Sequence, residues 1–193
     1  MKKVELEQSG PEWHQWRSGG IGGSDAGVLM GTNPWMNEDQ LTESKEGRLV
    51  VAENERMARG KRLEPIAREK YTEVTGIHVR PVCVVHDKVP WLRASLDGLS
   101  EDNQIVLEIK CPSNYAHKKA LWGRIPDYYT AQVQHQLLVT GCPLLHYWSY
   151  TDDEYFPKDS RHALVVVHPD FEYQEKLFYR EWEYIKSRKK KVA

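Results

Sequence analysis

The stretch SLDGLSEDNQIVLEIKCP, from Ser95 to Pro112, places charged side chains inside two apolar runs. Asp97 closes the first run, and Glu108 and Lys110 lie within the second. Apolar strands do not usually carry three charges of mixed sign. The polar sequence SEDN between the runs is typical of a turn, so we expect the two runs to form a hairpin.

The hairpin brings the charged side chains together. Residues alternate between the two faces of a strand, so Glu108 and Lys110 share one face, as do Ser95 and Asp97 in the first run. If Asp102-Asn103 forms the tip, Asp97 lies opposite Glu108 and Ser95 lies opposite Lys110. Directly opposed Cβ atoms are about 5 Å apart, and like charges at that distance destabilise a sheet. Two such carboxylates favour a cation between them, and oxygen ligands suit Mg²⁺ or Mn²⁺.

The same spacing also fits an arrangement that has no catalytic or metal-binding role. Asp97 and Gly98 can belong to a turn, while Glu108 and Lys110 pair with each other on a solvated strand face. A metal site also needs more ligands than two. Spacing alone therefore leaves both interpretations open.

Length and composition are those of an ordinary globular protein. The chain has 193 residues, 40% of them hydrophobic and 28% charged, with a formal net charge of −1. This length favours a single domain, taken as residues 1–193. No apolar run approaches the roughly 20 residues of a membrane span, and the start lacks a signal segment, so we expect a cytoplasmic protein without membrane contact. The three cysteines are isolated, which indicates neither a disulfide framework nor a zinc cluster.

The remaining patterns predict helices around a sheet. Strands are predicted at residues 79–87, 91–99, 104–110, 144–150 and 162–168. Helices are predicted at residues 12–17, 54–75, 125–141 and 170–191, with a further short helix that Ser24 caps and Gly31 ends. The order of helix, three strands, helix, two strands and helix predicts an α/β fold with a mixed sheet flanked by helices.

Several details of the helices are expectations in their own right. Pro65 indicates either a kink or a fresh start near Glu64. Residues 37–55 are polar and receive no assignment. The last helix is amphipathic, with an expected apolar side formed by Phe171, Phe178, Trp182 and Ile185.

An aspartate that ends one strand, followed by Glu-x-Lys in the next, resembles the core of the PD-(D/E)xK nuclease fold. This short signature is common by chance, but the surrounding segments make it more specific. They are EWHQWRSGGIGGSDAGVLMGTNPW, RGKRLEPIARE, EIKCP and YYTAQVQHQLLVTG, in this order. Together they resemble the lambda exonuclease and YqaJ-type phage recombination nucleases, over roughly residues 11–170. The resemblance implies a restriction-endonuclease-like core.

The resemblance also implies roles for individual residues of the hairpin and its surroundings. Asp97 and Glu108 match metal ligands, and Lys110 matches the catalytic lysine. Glu64 matches a further acidic residue near the metal, and Gln132 matches an active-site glutamine. Without the resemblance, Glu64 is a solvent-facing helix residue with Arg62 or Arg68 nearby, and Gln132 belongs with Gln136 to a polar helix stripe.

A second group of residues matches the part of the family that holds the 5′-terminal phosphate of DNA. It contains Arg17 and Ser24, with Ser95 close by. An arginine fork binds a phosphate in a bidentate manner, and a serine hydroxyl adds a donor. The alternative is a plain helix cap beside a surface arginine. The four tryptophans Trp13, Trp16, Trp35 and Trp91 are interpreted as core or subunit-contact residues rather than as base-stacking platforms.

Two departures from the family pattern stand out. Leu96 occupies the position of the motif's proline, which is not a ligand. A second basic residue that lambda exonuclease uses after the Lys-Cys-Pro segment has no counterpart among Asn114, Tyr115 and His117. The sequence therefore leaves open how the 5′ phosphate is fully neutralised.

The resemblance implies a 5′→3′ exonuclease on double-stranded DNA that uses Mg²⁺ or Mn²⁺, with two ions. It would release 5′-mononucleotides and leave 3′ single-stranded overhangs for phage-type recombination. A ring-shaped homotrimer and a phage single-strand annealing protein as partner are also implied. Two alternatives remain: a structure- or site-specific endonuclease on the same core, and a non-catalytic module that binds DNA ends.

Overall fold

A single six-stranded sheet organises the computed structural model, which describes residues 1–50 and 52–192. The strands lie side by side in chain order. β4 and β5 run parallel, and the other neighbouring pairs run antiparallel, so the predicted mixed sheet is confirmed. The strands are β1 (Lys2–Val4), β2 (Val79–Val85), β3 (Arg93–Ser100), β4 (Ile105–Lys110), β5 (Leu144–Tyr150) and β6 (His162–Val167). Only β1 was not predicted.

Seven helices accompany this sheet in the described part of the chain. They are α1 (Pro11–Ser18), α2 (Gly23–Leu29), α3 (Glu38–Lys45), α4 (Glu55–Thr75), α5 (Asn114–Leu121), α6 (Thr130–Thr140) and α7 (Phe171–Val192). α3 lies in the segment that received no assignment, and α5 was not predicted. The predicted helix at residues 125–141 opens with a 3₁₀ turn, Asp127–Tyr129, before α6 begins. Among the described residues, no helix has the length and apolar character needed to cross a membrane.

α4 follows its local signals closely. The Asn54 side chain accepts a hydrogen bond from the Met57 N–H at 3.0 Å and caps the start. Gly76 adopts a φ of 70° and ends the helix, as predicted. Pro65 lies inside one continuous helix, without the fresh start that was considered. Ala67 and Tyr71 pack this helix against β4 and β5.

The start of α2 differs from the prediction. Its N-cap is Gly22, and the Asp25 carboxylate accepts a hydrogen bond from the Gly22 N–H at 2.8 Å. Ser24 lies inside the first turn, so its assignment as the cap was wrong. Asp25, three residues after Gly22, accepts the hydrogen bond of the cap N–H. Since Ser24 is not the cap, its hydroxyl is available for another partner.

The buried side of α7 also differs from the expected apolar side. Phe171 is 78% exposed and Trp182 is 42% exposed. The buried positions are Gln174, Leu177, Glu181, Tyr184 and Ile185. Glu181 accounts for the difference, because its carboxylate pairs with His135 of α6 at 2.7 Å inside the protein.

The hairpin of β3 and β4 has the predicted register. Gly98 pairs with Leu107 and Leu99 pairs with Val106, which places the turn at Asp102-Asn103. Asn103 adopts a φ of 57°, a left-handed conformation that asparagine tolerates better than most residues. The hairpin is therefore confirmed as the local unit that carries the charged residues.

A β-bulge interrupts β3 on its other side. The register with β2 shifts between Arg80 and Val82, so Asp97 and Gly98 together lie opposite Pro81. Proline lacks the N–H that a regular ladder would require, so it suits this position. Leu96 and Leu99 flank the bulge, and although they are three positions apart, both pack in the apolar cluster beneath α6. The side chains of β3 therefore do not alternate strictly between the two faces of the sheet at Asp97, and the bulge changes the direction of this side chain.

Candidate active site

Asp97 lies where β3 and β4 separate. Backbone pairing of the two strands ends at Gly98 and Leu107. Beyond that point the Asp97 Oδ2 atom accepts a hydrogen bond from the Ile109 N–H at 2.7 Å. A side-chain oxygen thus takes over where the backbone ladder stops, and it holds the carboxylate beside Glu108.

Glu108 is 1% exposed, and donors hold both of its carboxylate oxygens. Gln132 Nε2 donates to Oε1 at 2.5 Å, and Gln136 Nε2 donates to Oε2 at 2.5 Å. Lys110 also forms an ion pair with Oε1. Asp97, Glu108, Lys110, Gln132 and Gln136 are called the carboxylate site below. Sequence reasoning named Gln136 only as part of a polar stripe, and the i, i+4 spacing of two glutamines was the available signal.

Electrostatics at Asp97 indicate an excess of negative charge. Burial raises the pKa of the Asp97 carboxyl well above its usual range, and the neighbouring Glu108 and Glu64 carboxylates raise it further. Lys110 and the Ile109 N–H oppose this shift without cancelling it. An added cation would stabilise the ionised form of Asp97.

Lys110 remains charged in this environment. Burial by itself would lower the pKa of the Lys110 ammonium, but Glu108, Tyr129 and Asp97 raise it above its usual value. The Nζ atom lies 4.9 Å from the centre of the Tyr129 ring. The neighbouring carboxylates thus favour the charged form of Lys110.

Glu64 reaches this region from α4. Arg68 pairs with the Glu64 carboxylate, and its Nε donates to the Asp97 carbonyl at 2.8 Å. The Glu64 side chain is 36% exposed, so it is neither buried nor fully solvated. The arginine that the alternative interpretation named as a neighbour is present, and it ties Glu64 to the backbone of Asp97.

The donor set fits a magnesium-type ion better than a transition-metal cage. Within residues 1–50 and 52–192, no three histidine, cysteine, aspartate or glutamate side chains converge as a preformed metal cage. Mg²⁺ does not require one, because it keeps several waters and takes one or two carboxylates together with substrate phosphate. Asp97, Glu108 and Glu64 supply oxygen donors, and Glu108 and Glu64 place negative charge around the buried Asp97 carboxyl.

A second cluster is formed by Arg17, Ser24, Asp25 and Lys45, and is called the Arg17 cluster below. Arg17 donates to the Ser24 hydroxyl. Lys45 Nζ donates to the Asp25 carboxylate at 2.5 Å and to the carbonyls of Arg17 and Gly20 at 3.1 and 2.7 Å. Burial would raise the pKa of Asp25, but Lys45 and Arg17 lower it below its usual value. The Arg17 side chain stays 34% exposed, so its guanidinium is accessible.

The sequence did not identify Lys45 as a member of this cluster, because it lies at the end of α3, in the segment that received no assignment. Its side chain is 5% exposed, and it donates to carbonyls at the end of α1 and in the loop that follows. Lys45 therefore neutralises the buried Asp25 carboxylate and holds the glycine-rich loop through the Gly20 carbonyl.

Ser95 lies near Arg17 and not opposite Lys110. Its hydroxyl accepts a hydrogen bond from the Trp13 indole N–H at 2.7 Å, and Arg17 lies over the Trp13 ring at 4.9 Å. Ser95 pairs with Cys83 of β2. The predicted pairing with Lys110 was wrong, because the ladder between β3 and β4 ends at Gly98.

The Arg17 cluster and the carboxylate site are joined by a contact between α2 and α6. A Cβ atom added to Gly23 would lie 3.2 Å from Gln132 Cγ and 3.5 Å from Gln136 Cγ. The first turn of α2 therefore rests on the face of α6 that holds Glu108. Glycine permits this close approach, since the neighbouring side chains leave little room for a larger residue.

The sheet order, the bulge at an acidic residue and the Glu-x-Lys strand together define a PD-(D/E)xK-type fold. Within that class, the chain belongs to the family of the YqaJ-like viral recombinase domain, whose family model matches residues 12–143. The resemblance noted in the sequence is thereby confirmed.

Comparison with a curated relative and with solved structures supports this membership. The uncharacterized protein YqaJ of Bacillus subtilis (strain 168) is 34% identical over 139 residues, which cover 70% of this chain and 44% of that protein. The chain thus spans less than half the length of this relative. The alkaline exonuclease LHK-Exo of Laribacter hongkongensis matches with a TM-score of 0.79 at 26% identity, covering 95% of this chain and 98% of that chain. LHK-Exo in complex with dAMP matches with a TM-score of 0.78 at 25% identity.

A more distant structure shares the fold alone. The phage related exonuclease from Haemophilus somnus 129PT has a TM-score of 0.64 at 14% identity, and the match covers 90% of this chain and 96% of that chain.

Proposed function

We propose that this protein is a divalent-metal-dependent 5′→3′ exonuclease on double-stranded DNA. It releases 5′-mononucleotides and leaves 3′ single-stranded overhangs that serve recombination by strand annealing. The observation that carries this proposal is the convergence of Asp97, Glu108 and Lys110 where β3 and β4 separate. Membership of the YqaJ-like family and the match to nearly the whole of LHK-Exo, a protein solved with dAMP, support it.

Asp97 and Glu108, with Glu64 beside them, are the residues that would hold Mg²⁺, or Mn²⁺ in its place, and two ions are expected. A bound ion of this kind supplies Lewis-acid charge at the phosphate and lowers the pKa of a water ligand. Glu108 is already oriented, since both its oxygens accept hydrogen bonds from α6. Asp97 is held by Ile109 through one oxygen. Such preorganisation reduces the cost of arranging the site during reaction.

Lys110 and Gln132 act on the substrate side of the same site. Lys110 is a compact positive charge that orients the attacking water and stabilises charge on the phosphoryl oxygens. Gln132 is uncharged, so it can only orient its partners by hydrogen bonding. Its amide fixes Glu108, and its Cγ lies against the first turn of α2, which carries Ser24.

The Arg17 cluster binds the 5′-terminal phosphate. Arg17 and Ser24 supply exposed donors, and the buried Lys45 offsets the negative charge of Asp25 behind them. Ser95 contributes indirectly, because it holds the Trp13 ring on which Arg17 lies. The contact between α2 and α6 then sets the distance between the bound 5′ phosphate and the cleavage site.

We also propose that the chain is a single nuclease domain that assembles into a ring-shaped homotrimer and works in the bacterial cytoplasm with a phage single-strand annealing protein. Exposed aromatic side chains favour an assembly: Tyr115 is 70% exposed, Trp122 is 72% exposed and Phe171 is 78% exposed. Aromatic residues are enriched at subunit interfaces.

Digestion of a linear 5′-phosphorylated duplex tests the function. The wild-type protein should degrade it in Mg²⁺ and be inactive in EDTA. Asp97→Asn and Glu108→Gln should each abolish cleavage, and the double variant should be little worse, because residues that act as a unit are non-additive. Glu101→Gln is the matched control, since it removes an exposed carboxylate from the turn of the same hairpin. Thermal melting should show that all variants are folded.

A covalently closed circular duplex separates the alternatives. An exonuclease cannot start on it, so cutting of the circle would favour the endonuclease. Binding of linear ends without metal-dependent loss of DNA would favour the non-catalytic module. Near-normal turnover by Asp97→Asn would contradict the assignment of the carboxylate site.

A further inference from the structure

Trp35 is an exposed aromatic residue held in a defined position. It lies between α2 and α3 and is 57% exposed, so of the two roles predicted for it, core or subunit contact, the core role is excluded. The Asn33 carboxamide oxygen accepts hydrogen bonds from the N–H groups of Trp35 and Met36 at 2.8 and 3.0 Å. The Asn33 N–H donates in turn to the Gly27 carbonyl of α2 at 3.0 Å. The indole is therefore presented to solvent from a backbone tied to α2.

A row of aromatic rings connects Trp35 with the carboxylate site. The Trp35 ring meets the Tyr128 ring edge-on, with centroids 5.1 Å apart and an interplanar angle of 78°. Tyr128 lies 4.6 Å from Tyr129, whose ring is 4.9 Å from Lys110 Nζ. Tyr129 is also 6.5 Å from Trp35, so a single ring separates Trp35 from the catalytic lysine.

The charges around these rings favour a polyanion. Lys110 lies at the inner end of the row, and the positive charge of Arg56 acts on both tyrosines. Burial raises the pKa of Tyr128 and Tyr129, so both stay neutral phenols at physiological pH. Neutral aromatic faces next to cations are what single-stranded nucleic acid binds, because every base has a π-face and every nucleotide a phosphate.

We propose that Trp35, supported by Tyr128, is a stacking subsite for a nucleobase of the cleaved strand beside the scissile phosphate. This inference rests on the proposed exonuclease function and deepens it. A base can stack on the indole only when it has left its partner, so the subsite assists opening of the terminal base pairs. α2 links this subsite to the Arg17 cluster, since Ser24 lies in its first turn and Gly27 anchors the Trp35 loop. Stacking tolerates any base, so no sequence preference is expected from it.

Abasic nucleotides test the stacking directly. Duplexes carry one abasic residue at the first or second position of the 5′-phosphorylated strand, and kcat and KM are measured with each. For the wild-type protein, an abasic residue at one of these positions should reduce kcat/KM about tenfold, the size of one base–aromatic stack. Trp35→Ala should lose about tenfold on normal DNA and nothing further on the abasic substrate. Trp35→Phe should retain most of the stacking.

Trp182→Ala is the matched control, because this indole is also exposed but lies on α7. It should behave as the wild type on both substrates. A purely structural role of Trp35 would lower activity equally on normal and abasic DNA, and that result would overturn the inference. A shift of Trp35→Ala to a smaller species in light scattering would also overturn it, by making Trp35 a subunit contact.

A binding measurement keeps the inference separate from the proposed function. A short 5′-phosphorylated single strand, added in EDTA, should quench part of the tryptophan fluorescence of the wild type and of Trp182→Ala. The quench should be lost in Trp35→Ala. Equal quenching in all three proteins, or none in the wild type, would contradict the stacking subsite, whatever the outcome of the cleavage assays. Failure of cleavage with the quench intact would contradict the exonuclease instead.

Discussion

At the scale of single residues, the site combines two carboxylates that are held in different ways. Donors occupy both oxygens of Glu108, whereas Asp97 is fixed by the Ile109 N–H. Burial of Asp97 and, after it, the proximity of Glu108 cost free energy, and both raise the pKa of the Asp97 carboxyl. Lys110 compensates for part of this charge. The arrangement is stable enough to fold and still has a deficit of positive charge that a cation can fill.

The Arg17 side chain gives a residue-scale prediction. A lost charge-assisted hydrogen bond is worth about 1.5–3 kcal/mol, so Arg17→Ala should slow degradation of 5′-phosphorylated duplex at least tenfold. Its effect on 5′-hydroxyl ends should be much smaller, because no terminal phosphate is present to contact. Initial rates on the two substrates provide the measurement.

Arg80→Ala serves as the control, because Arg80 is a highly exposed arginine of β2. It should leave the preference for phosphorylated ends unchanged. If Arg17→Ala slowed both substrates equally, Arg17 would serve folding or general attraction of DNA instead.

At the scale of elements, the bulge in β3 determines where Asp97 points. Two residues of β3 lie opposite Pro81, and backbone pairing with β4 ends at Gly98. The strands therefore separate at Asp97, and its carboxylate is free to lie between them. A regular strand would have continued the ladder and left less room for a ligand at this point.

Gly98 gives the element-scale prediction. A Cβ atom there would lie 2.9 Å from Val79 Cβ and 3.0 Å from Leu107 Cβ, so Gly98→Ala must push the strands apart. Overpacking of this kind costs about 1–3 kcal/mol, and displacement of Asp97 should reduce activity as well. Urea denaturation and duplex degradation measure the two effects.

Gly60→Ala is the matched control, since a Cβ atom at this position of α4 has no neighbour within 4 Å. Alanine is favoured over glycine in a helix by roughly 0.5–1 kcal/mol, so this variant should gain stability and keep its activity. If Gly98→Ala were as stable as the wild type, the bulge would be able to adjust to the added methyl group, and the prediction would be wrong.

At the scale of the whole molecule, a buried polar pair ties the last helix to the sheet. His135 lies between the Glu181 carboxylate at 2.7 Å and the Arg93 carbonyl at 2.8 Å, on β3. Burial would lower the pKa of His135, but Glu181 raises it above its usual value. Both side chains are fully buried, so the pair joins α7 to α6 and, through the Arg93 carbonyl, to β3.

Assembly gives the whole-molecule prediction. A net charge of −1 gives one subunit little attraction for DNA, and salt-dependent binding needs several clustered Lys or Arg contacts. A ring would bring basic residues from every subunit to one channel. Sedimentation should therefore report a mass about three times that of one chain, and digestion should continue on engaged strands after excess competitor DNA is added. An active monomer that competitor stops at once would remove the ring while leaving the active-site assignment intact.

Local patterns in the sequence determined most of the secondary structure and the register of the central hairpin. The turn at Asp102-Asn103 and the apolar runs on each side act between chain neighbours, so their outcome is predictable without the rest of the fold. The Glu-x-Lys spacing in β4 likewise predicted that Glu108 and Lys110 would meet. The cap and stop signals of α4, Asn54 and Gly76, are local in the same sense.

Tertiary structure decided what depends on partners far along the chain. Glu181 faces inward because His135 lies beneath α7, and Gln136 holds Glu108 because α6 crosses that part of the sheet. Lys45 joins the Arg17 cluster from an otherwise unassigned segment, and Trp35 remains exposed beside Tyr128. The physical reason is that burying a charged or polar group costs free energy unless a partner is present. Which partner is present follows from packing between elements, and no local pattern records it.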